Sequence, residues 1–497
     1  MAKRLMCIAL IAIMLCGILA SCKAPTVEDG PADTVEETVI ETDKWGQAII
    51  NTGIPEDLDY QGAEVSFLMR QSERFNYEFG NEEFVLDASL LESKIFERNQ
   101  TVERELGVDL KFHKTITSGN DEQFYNSVLE TRKSNDGAYD VIVAYAAFGV
   151  APTIRGCYLD LNSDAMTYLA SDKAYWNQSY IEQASLNDKL YYITGDVNLS
   201  TFDRSIVVYF NESKCSERGI TGLYDLALSG GWTYGAFYTY VTNLEYEELD
   251  GQKGKTDGDS YILAAMRPSE SYDGFLAAFD LKLLTKQDNG RYSVNVEGNT
   301  TMSNAAIAIK DLYSSNGSYL AKSTATVNDL FASGRTLFAV DIMYRSADQN
   351  AKYVNMKDSY GILPLPKYTT DQPNYYTTPQ DAYNIMSVIV GDNVDPEMVS
   401  ATLETLSSES YKNIRPYYFE NIVKSRYFSG LKSAQVFDLV LDSVVFDTGV
   451  IYMMQLNGLI GPWRSACDGS DLGQKYAEIA EGVEQSKRDF EDWIFNS

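Results

Sequence analysis

Between residues 63 and 145 the hydrophobic period keeps switching between two and about 3.6, and this constrains the fold more than any other feature. "AEVSFLMRQ" alternates as a strand does. "SLLESKIFERNQTVERELG" is an amphipathic helix, with Gly107 placed to stop it. "VDLKFHKT" reads as a second strand, "DEQFYNSVLETRKS" as a second helix, and "YDVIVAYA" as a third strand with an unbroken apolar run. A strand apolar on both faces must be covered on both faces, and alternating helices supply that cover. The segment therefore predicts a parallel α/β sheet. Ligands of open sheets sit beyond the carboxyl ends of the strands, which nominates Arg70, Gln71 and Ser72 after the first strand and Tyr145 at the end of the third.

The chain offers little catalytic chemistry. Its one histidine, His113, stands between two lysines in a strand and reads as a solvated position. A Ser-His-Asp or Cys-His arrangement would have to be built around that residue. No G-x-S-x-G, H-E-x-x-H, phosphate-binding loop or G-x-G-x-x-G occurs. A carboxylate pair for glycoside hydrolysis is defined by separation in space, and nothing among the 71 acids singles one out. With 41 basic residues against those acids the formal charge is −30, which repels nucleic acid and anionic lipid and says nothing about a neutral ligand.

At the N-terminus, Lys3 and Arg4 precede an apolar run from Leu5 to Leu19, too short to span a bilayer. The run ends in Leu19-Ala20-Ser21-Cys22, which resembles the bacterial lipobox. That resemblance implies a lipoprotein signal peptide over 1–21, cleavage before Cys22, and lipid on its thiol. Several acyl chains there would hold the chain on a membrane face. Residues 22–58 are acidic and lack an apolar period, so they read as a flexible tether, with folding beginning near Asp59. Of the six cysteines, Cys7 and Cys16 fall in the signal, and Cys157, Cys215 and Cys467 allow at most one disulfide. No C-x-x-C spacing suggests zinc or redox chemistry.

"YEELDGQKGKTDGDSY" invites comparison with a calcium loop. Placing Asp259 at the twelfth position puts Asp250 at the third, but Gln252 and Lys253 then occupy the fifth and sixth. A polar loop without metal is expected. Tyrosine is abundant, with 35 residues against 21 phenylalanines, and it clusters in "DQPNYYTTPQDAY", "NIRPYYFEN", "DIMYRSADQN" and "SYDGF". A flat apolar ring with a polar tip suits a sugar's C–H faces and hydroxyl edge, and equally suits the border of a core.

The middle of the chain carries a family resemblance. "NDKLYYITGDVNLSTFDRSIVVYFNESKCSERGI" resembles the segment by which bacterial extracellular solute-binding proteins cross from the first lobe to the second. "SGGWTYGAFYTYVTNL" resembles the helix start that follows there. "LFASGRTLFAVDIMYRS" and "SYGILPLPKY" resemble two further strands of the second lobe. "AYNIMSVIVGDNVDPEMVSATLETLSSE" resembles the strand and helix that revisit the first lobe, and "AYDVIVAYAAFGVAPTIRGCYLDLNS" matches upstream. The matches run in order from about residue 60 to 415.

The resemblance implies an α/β, type II periplasmic-binding-protein-like fold with two lobes and a hinged cleft. Lobe 1 is expected over 59–200 plus 380–412, and lobe 2 over 201–379 plus 413–497. It implies a lipid-anchored receptor on the extracytoplasmic face of the cell membrane. Such a receptor would capture a carbohydrate, need no cofactor or metal, catalyse nothing, and act as a monomer delivering to ABC permease subunits. A receptor for a non-sugar solute or a sensor-kinase input is the alternative, and a surface glycoside hydrolase ranks last. Hinge motion is expected about Asp196–Ser205 and Thr378–Tyr383. Strand ends and crossing segments of this fold face the gap, which nominates Arg70, Tyr145, Asp196, Phe202 and Tyr344. The same argument adds Arg345, Tyr376, Asp381, Tyr383 and Trp463. Tyr344 follows the strand "TLFAVDIM", where the resemblance puts a sugar-stacking aromatic, and the fork of donors on Arg345 stands beside it.

Overall fold

The computed structural model describes residues 50–70, 76–80, 89–115, 122–266, 269–347, 352–424 and 430–496. Cys22, the signal and most of the acidic tether lie outside these residues, as do Gln71 and Ser72.

The chain forms strand β1 (Ala63–Met69), helix α1 (Leu90–Leu106), strand β2 (Val108–Lys114), helix α2 (Glu122–Ser134) and strand β3 (Val141–Tyr145) in the order the period switches require. Helix α1 starts at a capping box, in which the Glu92 N–H donates to Ser89 Oγ and the Ser89 N–H donates back to Glu92 Oε2. It stops at Gly107, whose φ of 62° is the left-handed conformation a β-carbon disfavours. Strands β2 and β3 lie parallel to β1 on either side of it. His113 is exposed on β2, edge-on to Tyr139.

After helix α3 (Gln178–Ala184) the chain crosses to a second, mixed sheet. It comprises β4 (Ile206–Asn211), β5 (Tyr261–Met266), β6 (Ser318–Ala321), β7 (Thr336–Ile342) and β8 (Tyr360–Pro364), in the order β8-β4-β7-β5-β6. Every residue of β4 and β7 is buried, as expected of central strands covered on both faces. Helix α4 (Thr300–Ser314) packs over this lobe. Strand β9 (Asn384–Val388) then returns to the first sheet antiparallel to β3, and helix α5 (Pro396–Glu409) packs on α1. That is the revisit read from "AYNIMSVIV…".

The C-terminal segment from Leu431 works across both lobes. Helix α6 (Leu431–Asp442) packs on β8 of the second lobe. Helix α7 (Thr448–Ile451) lies against α3 of the first, where Phe446 meets Tyr180 and Tyr383, and Tyr452 meets Tyr192. Helix α8 (Gly461–Cys467) packs on α4. Helix α9 (Ala480–Asn496) sets Glu491 on Arg291 and the Tyr292 N–H, and Trp493 on Tyr191.

Between the lobes three chain segments lie side by side. The Ile206 N–H donates to Thr378 O at 3.1 Å and the Gln380 N–H to Arg204 O at 2.9 Å. The Thr377 N–H donates to Ser443 O, and the Val445 N–H to Thr377 O, both at 2.8 Å. Two crossings were expected from the sequence, and the third, at Ser443–Phe446, had no recognisable signal. Cys157, Cys215 and Cys467 are buried free thiols. In the 250–259 loop the Leu249 and Thr256 N–H groups donate to Asp259, and the Thr256 hydroxyl to Asp250, so the loop's own donors occupy both carboxylates.

Candidate functional site at the lobe junction

At the carboxyl ends of the first sheet, Arg70 follows β1 directly. It donates from Nε to Asn384 Oδ1 at 3.0 Å and from Nη2 to Ala382 O at 2.9 Å. Its guanidinium carbon lies 4.5 Å from the ring centre of Tyr145, the last residue of β3. Tyr145 stacks on Phe148 and donates its hydroxyl to Asp381 Oδ1 at 3.2 Å. Asp381 also accepts from Gln380 Nε2 at 3.0 Å. Burial holds the Asp381 carboxyl above its ordinary range, opposed by Arg464, Tyr145, Arg204 and Arg70. Three nominated residues, Arg70, Tyr145 and Asp381, thus meet at one point, and Tyr383 lines the adjoining wall.

Across the gap, Arg464 on α8 grips Asp273, its Nε 2.9 Å from Oδ1 and 3.1 Å from Oδ2. Burial pushes the Asp273 carboxyl up to about 6, against the pull of that guanidinium. Two small cavities of about 20 Å³ each lie here. Asp273, Lys282 and Arg464 line one, Ala146, Ala147 and Tyr383 line the other, and Thr378, Asp381 and Asp447 line both. Each holds about one water, far less than the roughly 300–1,000 Å³ of small-molecule sites. Neither of these two cavities has room for a ligand of sugar size.

The other nominated residues lie elsewhere at the junction or beneath it. Tyr344 is half-buried, with the Arg204 guanidinium carbon 5.7 Å from its ring centre. Arg345 turns inward to Asp341, its Nε 3.1 and 3.2 Å from the two carboxylate oxygens. Trp463 is fully enclosed and donates its indole N–H to Tyr272 O at 2.9 Å. Tyr376 is half-buried beside Thr377, which pairs with the Ser443–Phe446 segment. Asp196 and Phe202 line a larger cavity of about 410 Å³ with Trp176, Arg415 and Asp442. There Arg415 reaches Asp196 at 3.3 Å and lies against the rings of Phe202 and Tyr411. Burial pushes the Asp196 carboxyl up to about 6, opposed by Arg415.

The tyrosine-rich stretches divide between packing and the gap. Tyr272, Tyr375 and Tyr418 are buried, with hydroxyls bonded to Asp468, the Trp232 N–H and Asp203. Sequence reasoning passed over Asp273, Lys282, Asp447, Arg204 and Arg464. Two signals stood close by, because Asp273 lies inside "SYDGF" and Arg464 follows the nominated Trp463.

Beside the crossing segments, Glu78 is wholly buried and accepts from Asn384 Nδ2 at 2.7 Å and from the Ser200 N–H. Asp203 accepts from the Tyr418 hydroxyl at 2.6 Å and from Tyr77. Burial pushes Glu78 up to about 7 and Asp203 up to about 6, in each case against these donors. These contacts fasten Tyr77 and Glu78 to the first crossing segment and to Asn384 at the start of β9.

Neither a protein-family model nor a curated relative matches the sequence. Solved structures do match. The GacH receptor of Streptomyces glaucescens, solved unliganded and with acarbose, superposes with a TM-score of 0.53 at 12% identity, covering 86% of this chain and 99% of that one. A cyclo/maltodextrin-binding protein complexed with maltotetraose gives 0.54 at 12% identity, covering 86% and 98%. UgpB from Mycobacterium tuberculosis, in complex with glycerophosphocholine, gives 0.54 at 12% identity with the same coverage. With its two sheets, the chain segments that cross between them, and superpositions that cover 86% of it, the chain has the two-lobed α/β fold of type II periplasmic binding proteins.

Proposed function

We propose that the protein is a lipid-anchored extracytoplasmic receptor that captures a sugar or oligosaccharide between its lobes and delivers it to an ABC importer. One observation carries this reading. A gap bounded by Tyr145, Asp381, Asp273 and Arg464 lies where two hinged lobes meet, in a fold whose solved examples include sugar-bound receptors. Aromatic rings cover sugar faces, and aspartate and arginine bond hydroxyls. The solved structures that share this fold include binding receptors, which supports binding without catalysis. Lipid at Cys22, with residues 22–58 as the tether, would keep the receptor beside its permease.

A thermal-shift screen over neutral mono- and oligosaccharides tests the receptor. A ligand at 100 times its dissociation constant adds about 2.7 kcal/mol, a plain rise in melting temperature. A flat response to the whole panel, with glycerophosphocholine raising the melting temperature, would move the assignment to a non-sugar solute. Cys22→Ala should shift the protein from membrane to soluble fractions, and retention in the membrane would remove the anchor.

A further inference from the structure

Asp447 lines both small cavities and is 8% exposed. Its Oδ1 caps α7, accepting the Val450 N–H at 3.1 Å. Its Oδ2 is buried with no hydrogen-bond partner. The N–H groups of Gly449 and Leu283 lie near enough to favour the charged carboxylate, but they close no bond to that oxygen. Lys282 lines the same cavity, and its charge acts on Asp447; Arg464 lines that cavity too. Leaving a carboxylate oxygen bare in a protein interior is costly, and capping alone does not require it. A serine or threonine would cap α7 as well, without the second oxygen.

We infer that Asp447 Oδ2 is the acceptor for a hydroxyl of the bound ligand, which makes Asp447 a residue that selects neutral polyols over anions. This rests on the sugar-receptor reading above. A vicinal diol fits the pair of groups present, one hydroxyl donating to Oδ2 while its neighbour accepts from the Lys282 ammonium. A uronate, sulfate or phosphate would meet Asp447, Asp381 and Asp273 on the walls of the same gap. Nothing in the sequence marked this residue, because "FDTGV" reads as an ordinary helix cap.

The test uses Asp447→Asn and Asp447→Ser, each of which keeps a capping oxygen for Val450. Binding is measured by calorimetry with acarbose, maltotetraose, lacto-N-biose and β-1,6-galactobiose, and with a digalacturonate as the acidic probe. The expected result is neutral-sugar binding by the wild type, weakened at least tenfold in both variants, with the ligand-free melting temperature unchanged or raised. The acidic probe should bind the wild type at least tenfold more weakly than the best neutral sugar. Equal neutral-sugar affinity in wild type and variants overturns the assignment of Asp447 and leaves the receptor reading standing. Tighter binding of the digalacturonate overturns the preference for neutral ligands. If no neutral sugar binds the wild type, the receptor reading fails and this inference with it. Circular dichroism of both variants confirms the fold, and a loss of structure in both means that Asp447 serves the fold alone.

Discussion

Two arginine–aspartate pairs flank the lobe junction and differ in almost everything but their chemistry. Asp341 and Arg345 are four residues apart, at the end of β7, and are sealed at 1% and 4% exposure. Asp273 and Arg464 are 191 residues apart, join two separate elements, and keep 13% and 27% exposure in a cavity wall. A sealed pair has given up its water, so losing either member leaves the other buried without its counter-charge. A pair at a cavity wall can share its hydrogen bonds with an incoming hydroxyl. Position after a strand end therefore does not by itself make an arginine a ligand group. Access to the gap is what sets Arg464 apart from Arg345.

The contrast makes its strongest claim at Arg345. Arg345→Met should cost about 3–5 kcal/mol of folding stability in urea melts, the usual result of stranding one member of a buried pair, and leave the sugar affinity of the folded fraction unchanged. Lost affinity with stability intact would erase the distinction between the pairs. Arg464→Met should do the reverse. We expect sugar affinity to fall at least tenfold, about 1.4 kcal/mol, with a smaller loss of stability than at Arg345. Unchanged affinity would return Arg464 to the scaffold.

Tyr344 is half-buried and lies between these extremes. If its ring faces the ligand, Tyr344→Ala weakens sugar binding about tenfold at little cost in stability. If it packs on Arg204 as scaffold, it loses roughly 3 kcal/mol or more, as large aromatic truncations in cores do. Measuring both quantities on one variant decides it.

The smallest effect concerns pH. Glu78, held at about 7, and Asp203 and Asp196, held at about 6, bind protons more tightly folded than unfolded. Their protonation therefore stabilises the fold below the ordinary carboxylate range, and that stability is lost as pH rises toward 7. The melting temperature should rise by a few degrees from pH 8 to pH 5.5, and Glu78→Gln should flatten part of the rise. A melting temperature that falls on acidification would show that the donors to these carboxylates outweigh burial.

Much of the fold was legible because it is written locally. The strands β1 to β3 carry their own periods, Gly107 its own turn, and "AYNIMSVIV" the apolar run of a buried strand. The meeting of Arg70, Tyr145 and Asp381 followed from strand ends and one crossing segment. What stayed hidden depends on distant parts of the chain. Asp273 gains a role only once α8 brings Arg464 to it, Arg345 is disqualified only by the inward turn to Asp341, and Asp447 looks like any cap until its second oxygen is seen bare. The third crossing at Ser443–Phe446 is a short apolar stretch whose partner, Thr377, lies 66 residues earlier.

That third segment has a mechanical consequence. Two connecting strands form a narrow strap, which bends and also twists freely. Three strands laddered by the bonds of Thr377, with Ser205 bridged to Pro379 on one side and Val444 to Thr377 on the other, form a leaf with width. Such a leaf flexes about one axis and resists torsion, since twisting would shear its rungs. The lobes should swing like a door on a long hinge, along a single track. Distances between spin labels placed on the two lobes should then fall into two narrow populations rather than one broad spread.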